Sequence, residues 1–143
     1  MAEKILVPVD GSDHSRRALI TAATEFEDTD IVVLHVIDPF DAYSVTEEAV
    51  WDDSFMEQRE EDAKELLEEY EDLAAEHGVS VETQLAHGSP SRAILGAVDD
   101  LGADHIVIGS RGRTGVGRML LGSVAETVAE RSPVSVTIVR PEN

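Results

Sequence analysis

Apolar residues along this chain fall either in short unbroken runs or in stripes at helical spacing, and the two patterns alternate. "KILVPVD" (residues 4–10) is a run rich in β-branched residues, the signature of a buried strand. "GSDHSRRALITAATEFE" (11–27) then places Ala18, Leu19, Ala22, Ala23 and Phe26 on one helical face, with Ser12 or Asp13 positioned to cap its start. "IVVLHVID" (31–38) is a second continuous run and suits a parallel sheet covered on both faces. From Pro39 to about Asp53 neither period holds, so this segment reads as a loop. Met56, Ala63, Leu66, Leu67, Tyr70, Leu73 and Ala74 next form one stripe of a long helix with its acids mainly on the other face. Gly78 stands where a left-handed cap would end it. "VSVETQLA" (79–86) alternates like a strand nearer the sheet edge. Ser89 and Pro90 give an N-cap followed by proline at the first helical position. Ala93, Ile94, Ala97, Val98 and Leu101 line the third helix, which Gly102 ends; "HIVIGS" (105–110) is strand four. After a glycine-rich stretch come a short helix, "SVAETVAERS" (123–132), a break at Pro133 and a fifth strand, "VSVTIVR" (134–140).

Strict alternation of strands and helices predicts an α/β fold, with a parallel sheet, right-handed crossovers and helices on both faces. Ligands in such sheets bind beyond the carboxyl ends of the strands, where the strand order reverses. Asp10 and Gly11 after the first strand, and Gly109 onward after the fourth, are therefore the first places to look.

Composition narrows the classes. The 143 residues suffice for one domain with a sizeable core, and the absence of cysteine excludes disulfides and thiol chemistry. No apolar run approaches the roughly 20 residues of a membrane helix. The opening "MAEKILVPVDGS" lacks the apolar core of a signal peptide, so a soluble, cytoplasmic protein is expected. Aromatic content of 4% argues against base stacking on single-stranded nucleic acid. Net charge is −19, and it is unevenly spread: residues 41–77 hold 15 acidic and 2 basic residues, a local net of −13. Duplex DNA and anionic membranes would be repelled by most of such a surface. Lysine is scarce, with two against nine arginines, a balance like that of salt-accumulating halophiles.

Positive charge and backbone freedom meet in "GSRGRTGVGRMLLGS" (109–123), which holds five of the ten glycines and Arg111, Arg113 and Arg118. It is no dinucleotide fingerprint, because that would follow the first strand, where "DGSDHS" does not match. "GRMLLGS" (117–123) has the glycine spacing of a P-loop but lacks its lysine. The logic of phosphate binding survives both failures. Glycines let backbone N–H groups approach phosphate oxygens, and Gly122 and Ser123 stand at a helix start that favours an anion.

Gly109-x-x-Gly112, nine residues, then Gly122-Ser123 resembles the ATP-binding signature of the universal stress protein family. "ILVPVDGS", "VVLHVID", "HGSPSRAIL" and "LGSVAETVAERSPVSVTIVR" resemble it too, so the likeness spans nearly the whole chain; the acidic stretch 41–61 is its least typical part. The resemblance implies one three-layer, Rossmann-like α/β/α domain over residues 1–143, with five strands in the order 3-2-1-4-5. It implies bound ATP, with Mg2+ or Mn2+ held through the phosphates. Gly109, Ser110, Arg111, Gly112, Arg113, Thr114 and Gly115 would wrap the phosphates, with Gly122, Ser123, Val124 and Ala125 receiving them at the helix start. Pro8, Val9 and Asp10 would border adenine and ribose, and Val36 would offer backbone groups to the adenine edge. Gly117 adds a glycine where the family more often has a side chain. The implied strand order makes "VSVTIVR" an apolar edge without a blunting lysine, so a homodimer paired through residues 134–140 is expected.

Simpler readings stand beside these. Ser123 and Glu126 spell a capping box, which alone would explain the serine. Asp10 would serve as a turn acid before Gly11, and the arginines would neutralise acidic neighbours. The five histidines show no short paired spacing of the kind a metal site uses. For function, a non-enzymatic nucleotide-regulated module in stress response is favoured over a slow ATP hydrolase or phosphotransferase, since phosphoryl transfer needs a positioned base or water-orienting group and the stretch offers only hydroxyls and arginines. A family member that binds no nucleotide would usually have lost the glycine spacing, which this chain keeps.

The charge pattern yields a direct expectation. Charges interact over only about 3 Å in molar salt but over about 10 Å at 0.1 M, so the acidic segment repels itself more as salt is removed. Thermal unfolding across potassium chloride concentrations is expected to give a midpoint that falls on dilution; an unchanged midpoint overturns the halophile reading.

Overall fold

Strand β1 (Glu3–Val9) shows why the sheet is central. Ile5, Val7 and Val9 enter one core cluster and Leu6 the other, so successive side chains are buried on opposite faces. In a computed structural model describing residues 3–38, 53–111 and 122–140, β1 is followed by α1 (Asp13–Glu25), β2 (Thr29–Ile37), α2 (Asp53–Glu76), β3 (Glu82–His87), α3 (Pro90–Leu101), β4 (His105–Gly109), α4 (Ser123–Arg131) and β5 (Ser135–Val139). The strands form one parallel sheet ordered β3-β2-β1-β4-β5. The predicted architecture and strand order are both borne out, and β3 and β5 are its edges.

Each face carries its own helices. Ala18, Leu19 and Ala22 of α1 pack with Leu67, Tyr70 and Ala74 of α2 on the face lined by Ile5, Val7 and Val107. Ile94 and Val98 of α3 and Ala125 and Val128 of α4 cover the face lined by Leu6, Val32 and Ile106. The helix stops follow the sequence: Gly78 and Gly102 lie in the left-handed region, at φ 76° and 67°.

The starts differ among the helices. Ser12 caps α1 and its Oγ accepts the Ser15 N–H at 3.1 Å. Ser89 occupies the cap position of α3 with Pro90 as first helical residue, yet its hydroxyl makes no capping bond. For α4 the capping-box expectation is overturned. Gly122 is the N-cap and Ser123 already the first helical residue, so the serine sits one position too late to form the box with Glu126. The loop expected from Pro39 lies outside the described residues, except that Asp53 already belongs to α2.

One glycine fixes how α1 lies on the sheet. A Cβ at Gly109 would stand 2.7 Å from the backbone carbon of His14 and 2.8 Å from its carbonyl oxygen. Backbone meets backbone there, and neither side has a flexible end to yield. Gly109→Ala is therefore expected to cost about 1–3 kcal/mol by overpacking, read as a lowered midpoint in chemical denaturation with the fold retained. An alanine variant as stable as the wild type would show that α1 can shift freely.

Candidate functional site

The carboxyl ends of β1 and β4 lie side by side at the centre of the sheet, and the strand order reverses there. Their recorded pairing comprises Ile5↔His105 and Leu6↔Ile106, and stops two residues before Pro8. Proline has no N–H to donate to a neighbouring strand, which gives a local reason for the ladder to end before the strands do. On the other side β1 pairs with β2 up to Val9↔His35. Val36 lies one position past that last pair, in register with Ala86 of β3. Pro8, Val9, Asp10 and Val36 are thus brought to one end of the sheet. The Val9 carbonyl is already engaged, by Nδ1 of His35 at 2.8 Å.

Beyond β1 the chain turns tightly. Asp10 accepts the Ser12 N–H through Oδ1 at 3.0 Å, an Asx-type turn, and Gly11 takes φ 84°, a conformation that favours glycine. Ser15 is buried beneath this turn. Its Oγ donates to the Ser12 carbonyl at 3.0 Å and accepts the Asp10 N–H at 3.3 Å. Its one proton is spent, so in its contact with Tyr70 the phenol is the donor and Ser15 the acceptor. The phenol oxygen in turn accepts the Gly11 N–H at 3.2 Å. A residue from α2 thus closes the network. Nothing in the sequence pattern singled out Tyr70, which reads as one more member of the apolar stripe.

At the end of β4, Gly109 and Ser110 are buried. Ser110 joins three elements: its N–H donates to the Val139 carbonyl of β5 at 2.8 Å, its carbonyl accepts the Gly122 N–H at 2.7 Å, and its Oγ lies 3.2 Å from Nδ1 of His14. The start of α4 is thereby pinned to the end of β4. Gly122 has no side chain to cap this helix, and the first backbone bond within it is Glu126 N–H to the Gly122 carbonyl at 3.0 Å. The amides of Ser123, Val124 and Ala125 precede that bond, so they are the orphan donors of a helix start. These are the residues the sequence assigned to phosphate. Arg111 is half-buried beside Ser110 in sequence; Gly112, Arg113, Thr114 and Gly115 lie outside the described residues. Gly109 has a structural reason of its own, the passage of α1. Among the described residues no group of three histidines or carboxylates is placed to hold a metal ion.

Residues 1–140 match the model of the universal stress protein family. The chain belongs to that family. It is 37% identical over 148 residues to universal stress protein YxiE of Bacillus subtilis, covering 98% of this chain and 100% of the relative. Among solved structures, hypothetical protein MJ0577 superposes with a TM-score of 0.84 at 29% identity, covering 100% of this chain and 99% of that one. A universal stress protein solved in complex with cAMP superposes at 0.68 with 27% identity, covering 97% of each chain. In this universal stress protein the ends of β1 and β4 and the start of α4 form one donor-rich cluster.

Tyr70 carries a measurable consequence. Burial pushes its phenol above the usual tyrosine value of 10, against the Gly11 N–H, which donates to the phenol oxygen and acts in the opposite direction. Because the folded value is raised, the stabilisation is complete below pH 10 and is lost as the pH climbs through the folded value, where the deprotonated phenol is no longer a donor. Tyr70→Phe leaves the Gly11 N–H and a Ser15 lone pair unpaired and is expected to cost about 1–3 kcal/mol at pH 7. Urea midpoints between pH 7 and 11 check both points: the wild type should lose stability above pH 10 and the variant should lack that component.

Proposed function

We propose that this universal stress protein binds ATP at the ends of β1 and β4 and acts as a non-enzymatic, nucleotide-regulated module of a stress response. The observation that carries the reading is the start of α4, where the amides of Ser123, Val124 and Ala125 lie uncapped by Gly122 and are pinned to β4 through Ser110. Backbone donors and the positive end of a helix suit phosphate oxygens. The cAMP complex of a relative supports an adenine nucleotide as the ligand class. On this reading Gly109 to Gly115 wrap the phosphates, Pro8, Val9 and Asp10 border the ribose and adenine, and Val36 meets the adenine edge. Mg2+ or Mn2+ would be held by the phosphates themselves rather than by a protein cage. Asp10 commits one carboxylate oxygen to the Ser12 N–H, which favours a turn-forming role for it over that of a catalytic base.

Two further parts of the proposal concern setting and assembly. β5 is a sheet edge whose Val136, Thr137 and Ile138 are half-buried, and pairing of residues 134–140 across a two-fold axis would satisfy its open backbone groups. The acidic, lysine-poor composition suits a salt-rich cytoplasm, and no helix among the described residues is long and apolar enough to cross a membrane.

Titration calorimetry with magnesium ATP in molar potassium chloride tests the reading. Wild type is expected to bind. Gly122→Val puts a branched side chain over the helix start and should abolish binding. Ser123→Ala should weaken it less, since the amides remain, and with no capping bond to lose it should leave stability unchanged. A wild type that shows no heat and releases no nucleotide on denaturation overturns the proposal; normal binding by folded Gly122→Val overturns the placement of the site.

A further inference from the structure

His14 belongs to no part of the sequence's candidate site, yet the fold brings it there. It lies in the first turn of α1, with its backbone against Gly109 and its Nδ1 3.2 Å from Oγ of Ser110. Ser110 is the residue whose carbonyl holds the Gly122 N–H, so one serine joins His14 to the start of α4. The second ring nitrogen, Nε2, hydrogen-bonds no described residue.

The partner on Nδ1 decides what this ring can do. A serine hydroxyl both donates and accepts. With neutral imidazole the Ser110 O–H donates to Nδ1, and the ring proton resides on Nε2. With imidazolium, Nδ1–H donates to Ser110 Oγ after a simple rotation of the hydroxyl, and Nε2–H remains. The anchor holds in both states, and Nε2 is a donor in both. His35 is built differently: its Nδ1 meets the Val9 carbonyl, which only accepts, so Nδ1 there is always the donor. His87 is engaged through Nε2 by the Glu60 carboxylate of α2 at 3.1 Å. Of these three imidazoles at the ligand end of the sheet, His14 alone combines an anchor indifferent to charge with a ring nitrogen that no described residue occupies.

We propose that His14 is a proton-linked phosphate contact: its Nε2–H donates to an anionic phosphate oxygen of the nucleotide, and binding draws a proton onto the ring. The inference rests on the nucleotide reading above and adds to it a regulation by pH. The charged and titratable groups on the elements around His14 are Asp13, Arg16 and Arg17 on α1, Asp10 after β1, Arg111 after β4, Glu126 in the first turn of α4, Arg140 after β5 and Tyr70 on α2. Asp13 is held by Arg16 at 3.2 Å and Asp10 by the Ser12 N–H, which leaves the dianionic end of a nucleotide as the group that gains most from a charged imidazole. A charge-assisted hydrogen bond is about twice as strong as a neutral one.

The test is titration calorimetry of wild type, His14→Gln and His14→Asn with ATP, in two buffers of different ionisation heat at pH 7, and in one buffer between pH 6 and 8. Wild type should take up more protons per nucleotide than either variant, the difference removing the nucleotide's own protonation. Wild-type affinity should fall about fivefold more than the variants' from pH 6 to 8. Equal proton uptake and parallel pH profiles overturn the inference and leave nucleotide binding standing. Absence of heat from wild type at every pH overturns both. Imidazole nitrogen resonances of the wild type guard against misfolded variants: nucleotide added at constant pH should move the His14 signals toward the doubly protonated pattern, and unmoved signals overturn the proposal.

Discussion

The passage of α1 across the end of β4 at backbone distance constrains everything around the ligand end of this sheet. Gly109 leaves no room for a side chain between the strand and His14. Once α1 is held there, its first turn brings Ser12, His14 and Ser15 to the point where the strand order reverses. Ser15 then organises the turn after β1 from below, and His14 reaches Ser110 from the side. A helix held further off would break both sets of hydrogen bonds together. The glycine that begins the stretch therefore owes its place first to packing. Only through packing does it shape the surface that a ligand would meet.

The elements and their order were legible because period and punctuation agree along the chain. Continuous apolar runs mark strands buried on both faces, and Gly102 and Pro133 end helices for stereochemical reasons that need no tertiary context. The location of the candidate site was also legible, since topology alone directs attention to the ends of β1 and β4. What could not be read was any contact that depends on two segments arriving together. Tyr70 is 55 residues from Ser15 and His14 is 96 from Ser110, and no spacing rule connects such pairs. The misplaced cap of α4 has a different origin. S-x-x-E fits the chain at Ser123, but the bond from Gly122 N–H to the Ser110 carbonyl sets where the helix begins. A tertiary bond outranked a local preference.

α2 joins the ligand end to the most acidic surface of the molecule. Arg59 donates to the Asp38 carbonyl after β2 at 3.0 Å, Glu60 meets His87 at the end of β3, Leu66 lies 3.6 Å from where a Cβ of Gly11 would stand, and Tyr70 closes the turn after β1. One helix thus touches the ends of three strands with its inner face. Its outer face, with Glu57, Glu61, Asp62, Glu65, Glu68, Glu69, Glu71 and Asp72, is exposed. Repulsion among those carboxylates acts on the helix as a whole, while the hydrogen bonds that order the turn are few and local.

An anion-binding site of the kind proposed, on a chain of net charge −19, would have to work against the long-range field of its own protein. That field extends about 10 Å at 0.1 M salt and about 3 Å at 1 M, so in concentrated salt a ligand meets mainly what lies within one side chain's reach. Backbone amides at a helix start keep their attraction at that range. They are fixed by packing, carry no counterions to release, and need no lysine. In such a molecule the proposed recognition of phosphate would pass from net charge to oriented dipoles, and the orientation set by Gly109 and Ser110 would then matter more than the number of arginines nearby.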